Sequence, residues 1–311
     1  MIVTLTVNPA LDVYTSIDHL EPNKKLRCEQ PQLDPGGGGV NVSRVIQRLG
    51  GETKAIFIRG GYTGIIFSEL LEKENVDQDP IDIKNDLRQN FAVRDTSSGD
   101  LYRFGTPGLA MKAVDYQFIL DKVTNINGVE FLVASGSLPP GAPENFYAQV
   151  ANRVRKNRVK FVLDASGKAL SEILKEGAYL IKPSIDELED LTGQKANNES
   201  EQRDLLLRLL NNYDIEIIVL SLGAEGALLA TRNEVQHFPA PLVEQKSSIG
   251  AGDSMVAGIT YSLSKGKSLT KSVLYGLACG SATVMTPGTK LLHKEDAEQL
   301  YDELLFALLK Q

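Results

Sequence analysis

A mixed α/β fold, with a mostly parallel sheet covered on both faces and a small second sheet set over it, is what this 311-residue sequence predicts. Three observations predict it. Short apolar runs of strand length alternate with stretches of helical period along nearly the whole chain. Two stretches of two-residue period interrupt that alternation. Two glycine-rich turns each lead directly into a helix, where backbone N–H groups can meet a ligand at the carboxyl ends of parallel strands. The length suits one large domain spanning 1–311, and 42% hydrophobic with 23% charged residues is the composition of a globular enzyme.

In chain order, the first strand is 2–7 (IVTLTV). Residues 11–33 then carry short two-period patterns instead of a helix. The helix at 41–49 places Val42, Val45, Ile46 and Leu49 at i, i+3, i+4 and i+7, and Gly50-Gly51 stops it. A strand at 54–59 and a helix at 64–74 follow. Residues 87–106 are the second interruption, with "SSGD" as a hairpin turn. Both interruptions carry cations among aromatics. Edge hairpins of the main sheet would account for the pattern, but a small antiparallel sheet folding over the site as a lid accounts for the charges too.

Beyond 106 the alternation resumes. Helices are predicted at 114–125, 144–157, 168–175, 184–192 and 199–212, and strands at 130–134, 160–164, 178–182, 215–221 and 226–230. Three helices at 253–264, 268–285 and 294–309 close the chain. The basic run "RVRKNRVK" at 153–160 reads as the solvated end of a helix.

Several function classes are excluded early. A net charge of −7 is wrong for a protein whose partner is nucleic acid. Cys28 and Cys279 build neither a disulfide framework nor a zinc site, and His19, His237 and His293 fall in no ligand spacing. The opening "MIVTLTVNPALD" runs straight into a strand with no basic leader, and no apolar run reaches membrane-spanning length, so no membrane partner and a cytoplasmic setting are expected.

Chemistry concentrates in "KSSIGAGDSMVAG", 246–258. Gly250, Ala251 and Gly252 before an apolar helix present N–H groups at its positive end, an anion hole fit for a phosphoryl group. Asp253 beside that hole either caps the helix or takes the proton from an attacking hydroxyl; the pairing makes most sense for phosphoryl transfer to an alcohol. The second cluster, "DPGGGGVNVSR" at 34–44, reads as a close approach of backbone to ligand. Asn41 opens its helix with an amide that donates and accepts, as polyhydroxyl recognition requires, and Asp12 adds an acceptor. No Walker sequence occurs, which excludes a P-loop kinase.

Six ordered motifs, "NPALD", "PGGGGVNVSR", "ASGSLPPG", "KPSIDEL", "SLGAEGAL" and "SIGAGDSMVAG", resemble those of the PfkB (ribokinase-like) family of carbohydrate kinases over nearly the whole chain. "KKLRCEQP", "LRQNFAV" and "LYRFGTPG" are most similar to its minor-type bacterial 6-phosphofructokinase branch. The resemblance implies a ribokinase-like three-layer α/β/α sandwich with a β-sheet lid, commonly paired between subunits as a homodimer. It implies ATP as co-substrate, Mg²⁺, and transfer to the C1 hydroxyl of fructose 6-phosphate. The rivals are 1-phosphofructokinase, tagatose-6-phosphate kinase and, from another class, a non-catalytic sugar-phosphate-binding module.

The resemblance also carries residue roles. Asp253 matches the general base, with Gly250, Ala251 and Gly252 as the anion hole. Asp12, Gly37, Gly38 and Asn41 match sugar-binding positions, with Ser137 near them, and Lys25, Arg27, Arg88 and Arg103 match lid positions that meet the sugar's phosphate. Lys182, Ser184, Ser221, Gly223, Gly226 and Ser281 match the nucleotide side, and Glu187 the metal environment. Where the family reads NxxE, this chain has Ser184-Ile185-Asp186-Glu187; Ser184 then acts through water or serves as a helix N-cap. Gly38 stands where the 1-phosphofructokinase and tagatose-kinase branches commonly have lysine. Some members also bind a monovalent cation such as K⁺ through backbone oxygens near Ser247, Ile249 and 286–290.

Overall fold

The computed structural model describes residues 1–310 and shows two sheets. The larger has nine strands: β1 (Ile2–Thr6), β4 (Thr53–Gly60), β5 (Asp77–Ile83), β8 (Phe131–Ser135), β9 (Lys160–Asp164), β10 (Ala178–Ile181), β11 (Ile215–Ser221), β12 (Ala227–Ala230) and β13 (Val235–Phe238). Their spatial order is β13-β12-β11-β10-β9-β8-β1-β4-β5. From β11 to β5 every neighbouring pair is parallel; β12 and β13 form an antiparallel edge.

Strand periodicity sorts the core into two layers. In β8, Leu132 and Ala134 pack on one side while Phe131 and Val133 pack on the other; in β11, Ile218 and Leu220 oppose Ile217 and Val219. The second face is covered by α1 (Gly38–Arg48), α8 (Ala251–Ser264), α9 (Leu269–Val284) and α10 (Lys294–Leu308). The first carries α2 (Gly61–Lys73), α3 (Ala113–Thr124), α4 (Phe146–Arg155), α5 (Gly167–Glu176), α6 (Ile185–Thr192) and α7 (Glu199–Asn212). Three layers result, with the parallel strands buried on both faces.

The second sheet is β3 (Gln32–Gly36), β2 (Ala10–Ile17), β6 (Arg88–Asp95) and β7 (Leu101–Phe104), in that spatial order. It is not wholly antiparallel, as the two-period pattern suggested: its central pair, β2 and β6, runs parallel. Each strand leaves the main domain in the same sense, so their pairing is parallel while the hairpin strands β3 and β7 flank it antiparallel. Register puts Asp12, Asp34 and Asn90 in one cross-strand row and Leu33, Val13, Phe91 and Phe104 in the neighbouring row on the opposite face. The first row looks into the molecule, where Thr289 Oγ1 donates to Asp34 at 2.5 Å and the Tyr14 ring packs on Gly288. Leu33, Phe91 and Phe104 on the other face are 37%, 42% and 51% exposed.

One further expectation needs correction, and two strands go beyond those expected. Helix α1 begins at Gly38 with Gly37 as its N-cap, so Asn41 lies within the first turn instead of opening the helix. Gly37 has φ +114°, a conformation side chains resist, and a Cβ at Gly39 would sit 2.6 Å from the Leu5 carbonyl oxygen; the glycines carry the chain past β1 at contact distance. Strands β5 and β13 were not anticipated.

Candidate active site

The carboxyl ends of β8, β9 and β10 and the N-termini of α1 and α8 converge on Asp253. Gly250, in the left-handed region at φ 76°, is the N-cap of α8, and Asp253 sits in the first turn. The capping alternative therefore does not describe Asp253: its carboxylate accepts from Asn41 Nδ2 at 2.9 Å and from Ser135 Oγ at 3.2 Å. Burial, reinforced by the nearby Asp164 carboxylate, pushes it up to about 6, against the opposing pull of Asn41, Lys182 and Ser135. A carboxylate so placed is poised to exchange a proton near neutral pH.

Lys182, 6% exposed, pairs with Asp164 at 3.1 Å. Burial alone would lower its affinity for a proton, but Asp164 outweighs that and holds it charged. Its ammonium stands beside the α8 turn, since a Cβ at Gly252 would lie 3.6 Å from Nζ. Helix N-terminus and ammonium thus add at one point, which suits a phosphoryl group.

Two clefts flank this point. One, of about 400 Å³, is lined by Ser221, Gly223, Gly226, Ser281, Ala251 and Gly252 together with apolar Leu242, Val243, Met255 and Leu277. Polar turns at one end and an apolar wall at the other match a nucleotide. Gly226 is obligatory here: its φ is +106° and a Cβ would strike the Phe238 carbonyl at 2.0 Å.

The other cleft, also about 400 Å³, lies under the small sheet and is lined by Asp12, Asn90, Arg88, Arg103, Thr289 and Ile249, the last adjoining the α8 turn. Asp12 accepts from Asn90 Nδ2 at 2.9 Å. Burial raises it to about 6, with Asn90 and Arg88 pulling the other way. Arg88 donates to the carbonyls of Asn8 (3.0 Å) and Thr106 (3.1 Å), while its Nε is buried without a partner. Ser137 lies outside this lining and accepts at 3.1 Å from Nδ2 of Asn8, the residue whose carbonyl Arg88 meets. Lys25 and Arg27 are exposed on the 18–31 segment and line neither cleft, so of the four candidate lid cations Arg88 and Arg103 are the two at this cleft.

Gly38 has a packing role beside the expected one, and Ser184 takes the second of its two expected parts. Gly38 was read as opening backbone to substrate, but a Cβ there would lie 2.1 Å from Ser135 Oγ and 2.7 Å from the Ser135 carbonyl carbon. Packing against the residue that holds Asp253 is what requires glycine. Ser184 is the N-cap of α6: its hydroxyl accepts from Glu187 N at 3.2 Å, and Glu187 Oε2 accepts from Ser184 N at 2.8 Å. Glu187 keeps Oε1 free for water. Among the described residues no three His, Cys, Asp or Glu side chains cluster as a metal ligand set. A divalent cation bound here would be held chiefly by nucleotide phosphates and water, and the Glu187 carboxylate would be a donor available to its hydration shell.

Ser135, Asp164 and Arg44 were missed by sequence reasoning. Ser135 and Asp164 end parallel strands, which is where ligands collect in such sheets and was the signal available. Arg44 lies three residues after Asn41 on α1 and gave no sign of being buried.

A family model described as pfkB family carbohydrate kinase matches residues 4–296. The ATP-dependent 6-phosphofructokinase isozyme 2 of Mycobacterium tuberculosis is 40% identical over 302 residues, 97% of this chain and 89% of that protein. That of Escherichia coli is 38% identical, over 96% of this chain and 97% of that protein. 1-Phosphofructokinases and tagatose-phosphate kinases also match, at 27% to 32% identity. The crystal structure of Escherichia coli phosphofructokinase-2 in complex with potassium superposes with a TM-score of 0.94 at 37% identity, covering 98% of this chain and 99% of that one. The same protein has been solved in a tetrameric inhibited form.

Proposed function

The chain belongs to the pfkB family of carbohydrate kinases, and from that premise we propose that it is an ATP-dependent 6-phosphofructokinase converting fructose 6-phosphate to fructose 1,6-bisphosphate. The observation that carries the reading is the 40% identity, over 97% of the chain, to an enzyme of that name, above its identity to the 1-phosphofructokinases and tagatose-phosphate kinases. Family membership implies ATP and a divalent metal; we take the metal to be Mg²⁺, which neutralises the nucleotide phosphates when bound. Measuring ADP release with ATP and fructose 6-phosphate, fructose 1-phosphate or tagatose 6-phosphate checks the assignment. A preference for either alternative sugar would replace it, and no release with any would leave a binding module.

In this reading Asp253 accepts the proton of the C1 hydroxyl as O1 bonds to the γ-phosphorus. The bond to the bridging oxygen breaks, and ADP leaves with that electron pair. The N–H groups of 250–252 and the Lys182 ammonium stabilise the transferring group. Asp12 and Asn41 accept and donate to the sugar hydroxyls, with Gly37 and Ser137 shaping that end, and Arg88 and Arg103 hold the phosphate.

Since Asp253 and Asp12 both lie near 6 and act as carboxylates, kcat/KM should be lost as pH falls through about 6. Two ionisations should make that limb steeper than first order. A pH–rate profile flat down to 5 would argue against both roles.

We also propose a homodimer through the small sheet, supported by the outward row of Leu33, Val13, Phe91 and Phe104, which is apolar across all four strands. Sedimentation should show a dimer that Phe91→Glu with Phe104→Glu dissociates; a wild-type monomer would refute it. We propose a monovalent cation held by backbone oxygens of 247–249 and 286–290, segments joined where Ser247 Oγ donates to Gly288 O, with the potassium complex of the Escherichia coli relative in support. Replacing K⁺ by tetramethylammonium at constant ionic strength should then lower the rate, and an unchanged rate would remove the site.

A further inference from the structure

We propose that Arg44 is a positioning residue for phosphoryl transfer, orienting the Asn41 amide so that its nitrogen and not its oxygen meets the Asp253 carboxylate. The proposal rests on Asp253 being the base.

A primary amide presents two ends of similar shape and opposite hydrogen-bonding sense. Which end faces Asp253 decides whether Asn41 supports the carboxylate or repels it. Arg44 settles this, because a guanidinium has only donors: its Nη1 donates to Asn41 Oδ1 at 3.3 Å, and Asn41 Nδ2 then donates to Asp253 Oδ2 at 2.9 Å. With Oδ2 engaged, Oδ1, which Ser135 reaches only at 3.2 Å, is the oxygen left for a substrate proton.

Arg44 itself is fixed. It is 1% exposed, and its remaining donors go to Glu74 (3.0 and 2.6 Å), the Pro35 carbonyl (2.9 Å) and Asp34 (3.4 Å). Glu74 is gripped in turn by Arg48, which also donates to the carbonyls of Leu291 and Leu292. Asp34 and Pro35 belong to β3, so the guanidinium ties a strand of the small sheet to the amide that meets the base. The groups facing Asp253 are Asn41 from α1, Ser135 from β8, Asp164 from β9 and Lys182 after β10. The Ser135 hydroxyl can turn to donate from where it stands, whereas the Asn41 amide meets Asp253 with a donor in one flip and an acceptor in the other.

Arg44→Lys keeps a cation against Glu74 and Asp34 but cannot reach Asn41 and both carboxylates at once. The expected result is a kcat lowered about tenfold or more and an acid limb of kcat moved up by about half a pH unit or more, because a freed amide can turn its oxygen to Asp253. In an Asn41→Ala background the same substitution should move the limb no further. A folded Arg44→Lys enzyme with an unmoved limb, whatever its stability, overturns the proposal, as does an equal shift without Asn41. Should the variant not fold, ¹⁵N NMR of the Asn41 side-chain amide in the wild-type protein decides. That resonance should titrate with the midpoint of the acid limb, and one insensitive to it overturns the proposal. Near-wild-type turnover in Asp253→Asn would instead overturn the base assignment, a failure distinguishable from these.

Discussion

Asp253→Asn should lower kcat by about 10²-fold or more with little change in KM, and should at the same time make the protein more stable at pH 7. The substitution is nearly isosteric. The new amide oxygen can still accept from Asn41 Nδ2 or Ser135 Oγ, so the lost rate reports the lost proton acceptor and not a displaced turn. The stability gain follows from the same burial. Asp253 titrates near 6 in the folded protein against an ordinary value of 3.8, so the fold disfavours its ionised form. That cost is fully present above pH 6, shrinks as pH falls from 6 toward 4, and is absent below. At neutral pH it is on the order of 2–3 kcal/mol, which a neutral asparagine escapes. Denaturant unfolding at pH 7 should show the variant more stable, and at pH 4 the difference should be largely gone. Unchanged turnover would remove Asp253 from the chemistry; a variant destabilised at pH 7 would mean that its charge is compensated in the fold. A catalytic group held against the preference of its surroundings is a recurrent exchange of stability for activity.

The sequence disclosed what depends on local pattern. The buried parallel strands β1, β4 and β8 to β11 are apolar runs, and α1 shows its core stripe at helical spacing, so both were legible. Asp253 was legible too, because a carboxylate after Gly-Ala-Gly at a helix start is unusual chemistry within four residues. Strand β5 was not: DQDPIDI carries three aspartates and a proline, and it forms at the sheet edge by pairing with β4, not by its own apolar content. The parallel pairing of β2 with β6 was hidden because two-residue alternation is the same whichever way the partner runs. The glycine at 38 was legible as a close approach but not as one to Ser135. Asn41 and Asp253 are separated by 212 residues, so the hydrogen bond that joins them is a property of the fold alone. Arg44, a charge on an amphipathic helix, reads as solvent-facing until the carboxylates of Glu74 and Asp34 are seen to surround it.

Arg88→Ala should reduce kcat/KM for fructose 6-phosphate by roughly 2–4 kcal/mol, expressed mostly in KM, and by more than Arg103→Ala. The two arginines differ in what surrounds them. Arg103 is exposed on β7 at the rim of the cleft, where water competes for any phosphate contact. Arg88 is half-buried, and burial already lowers its affinity for its proton while Asp12 opposes that. An anion reaching such a site meets a cation little screened by solvent, so its removal costs more. The loss is compounded, since the Asn8 and Thr106 carbonyls surrender their donor and Asp12 loses the charge that helps to ionise it. In the proposed reaction Arg88 thus holds the phosphate at the side of the cleft formed by the small sheet, and the α8 turn, which Ile249 adjoins, receives the attacked hydroxyl. This favours a sugar whose phosphate and reacting hydroxyl lie at opposite ends. Fructose 6-phosphate reacting at C1 satisfies that demand. Lysine at position 38 could not supply a second phosphate contact here, since its Cβ would collide with Ser135, so Gly38→Lys should lose turnover without gaining use of fructose 1-phosphate. Steady-state kinetics of the wild-type, Arg88→Ala, Arg103→Ala and Gly38→Lys proteins with each sugar test the whole arrangement. An indifferent Arg88→Ala, or a Gly38→Lys enzyme that turns over fructose 1-phosphate, would place the phosphate elsewhere while leaving Asp253 and the α8 turn as the phosphoryl-transfer site.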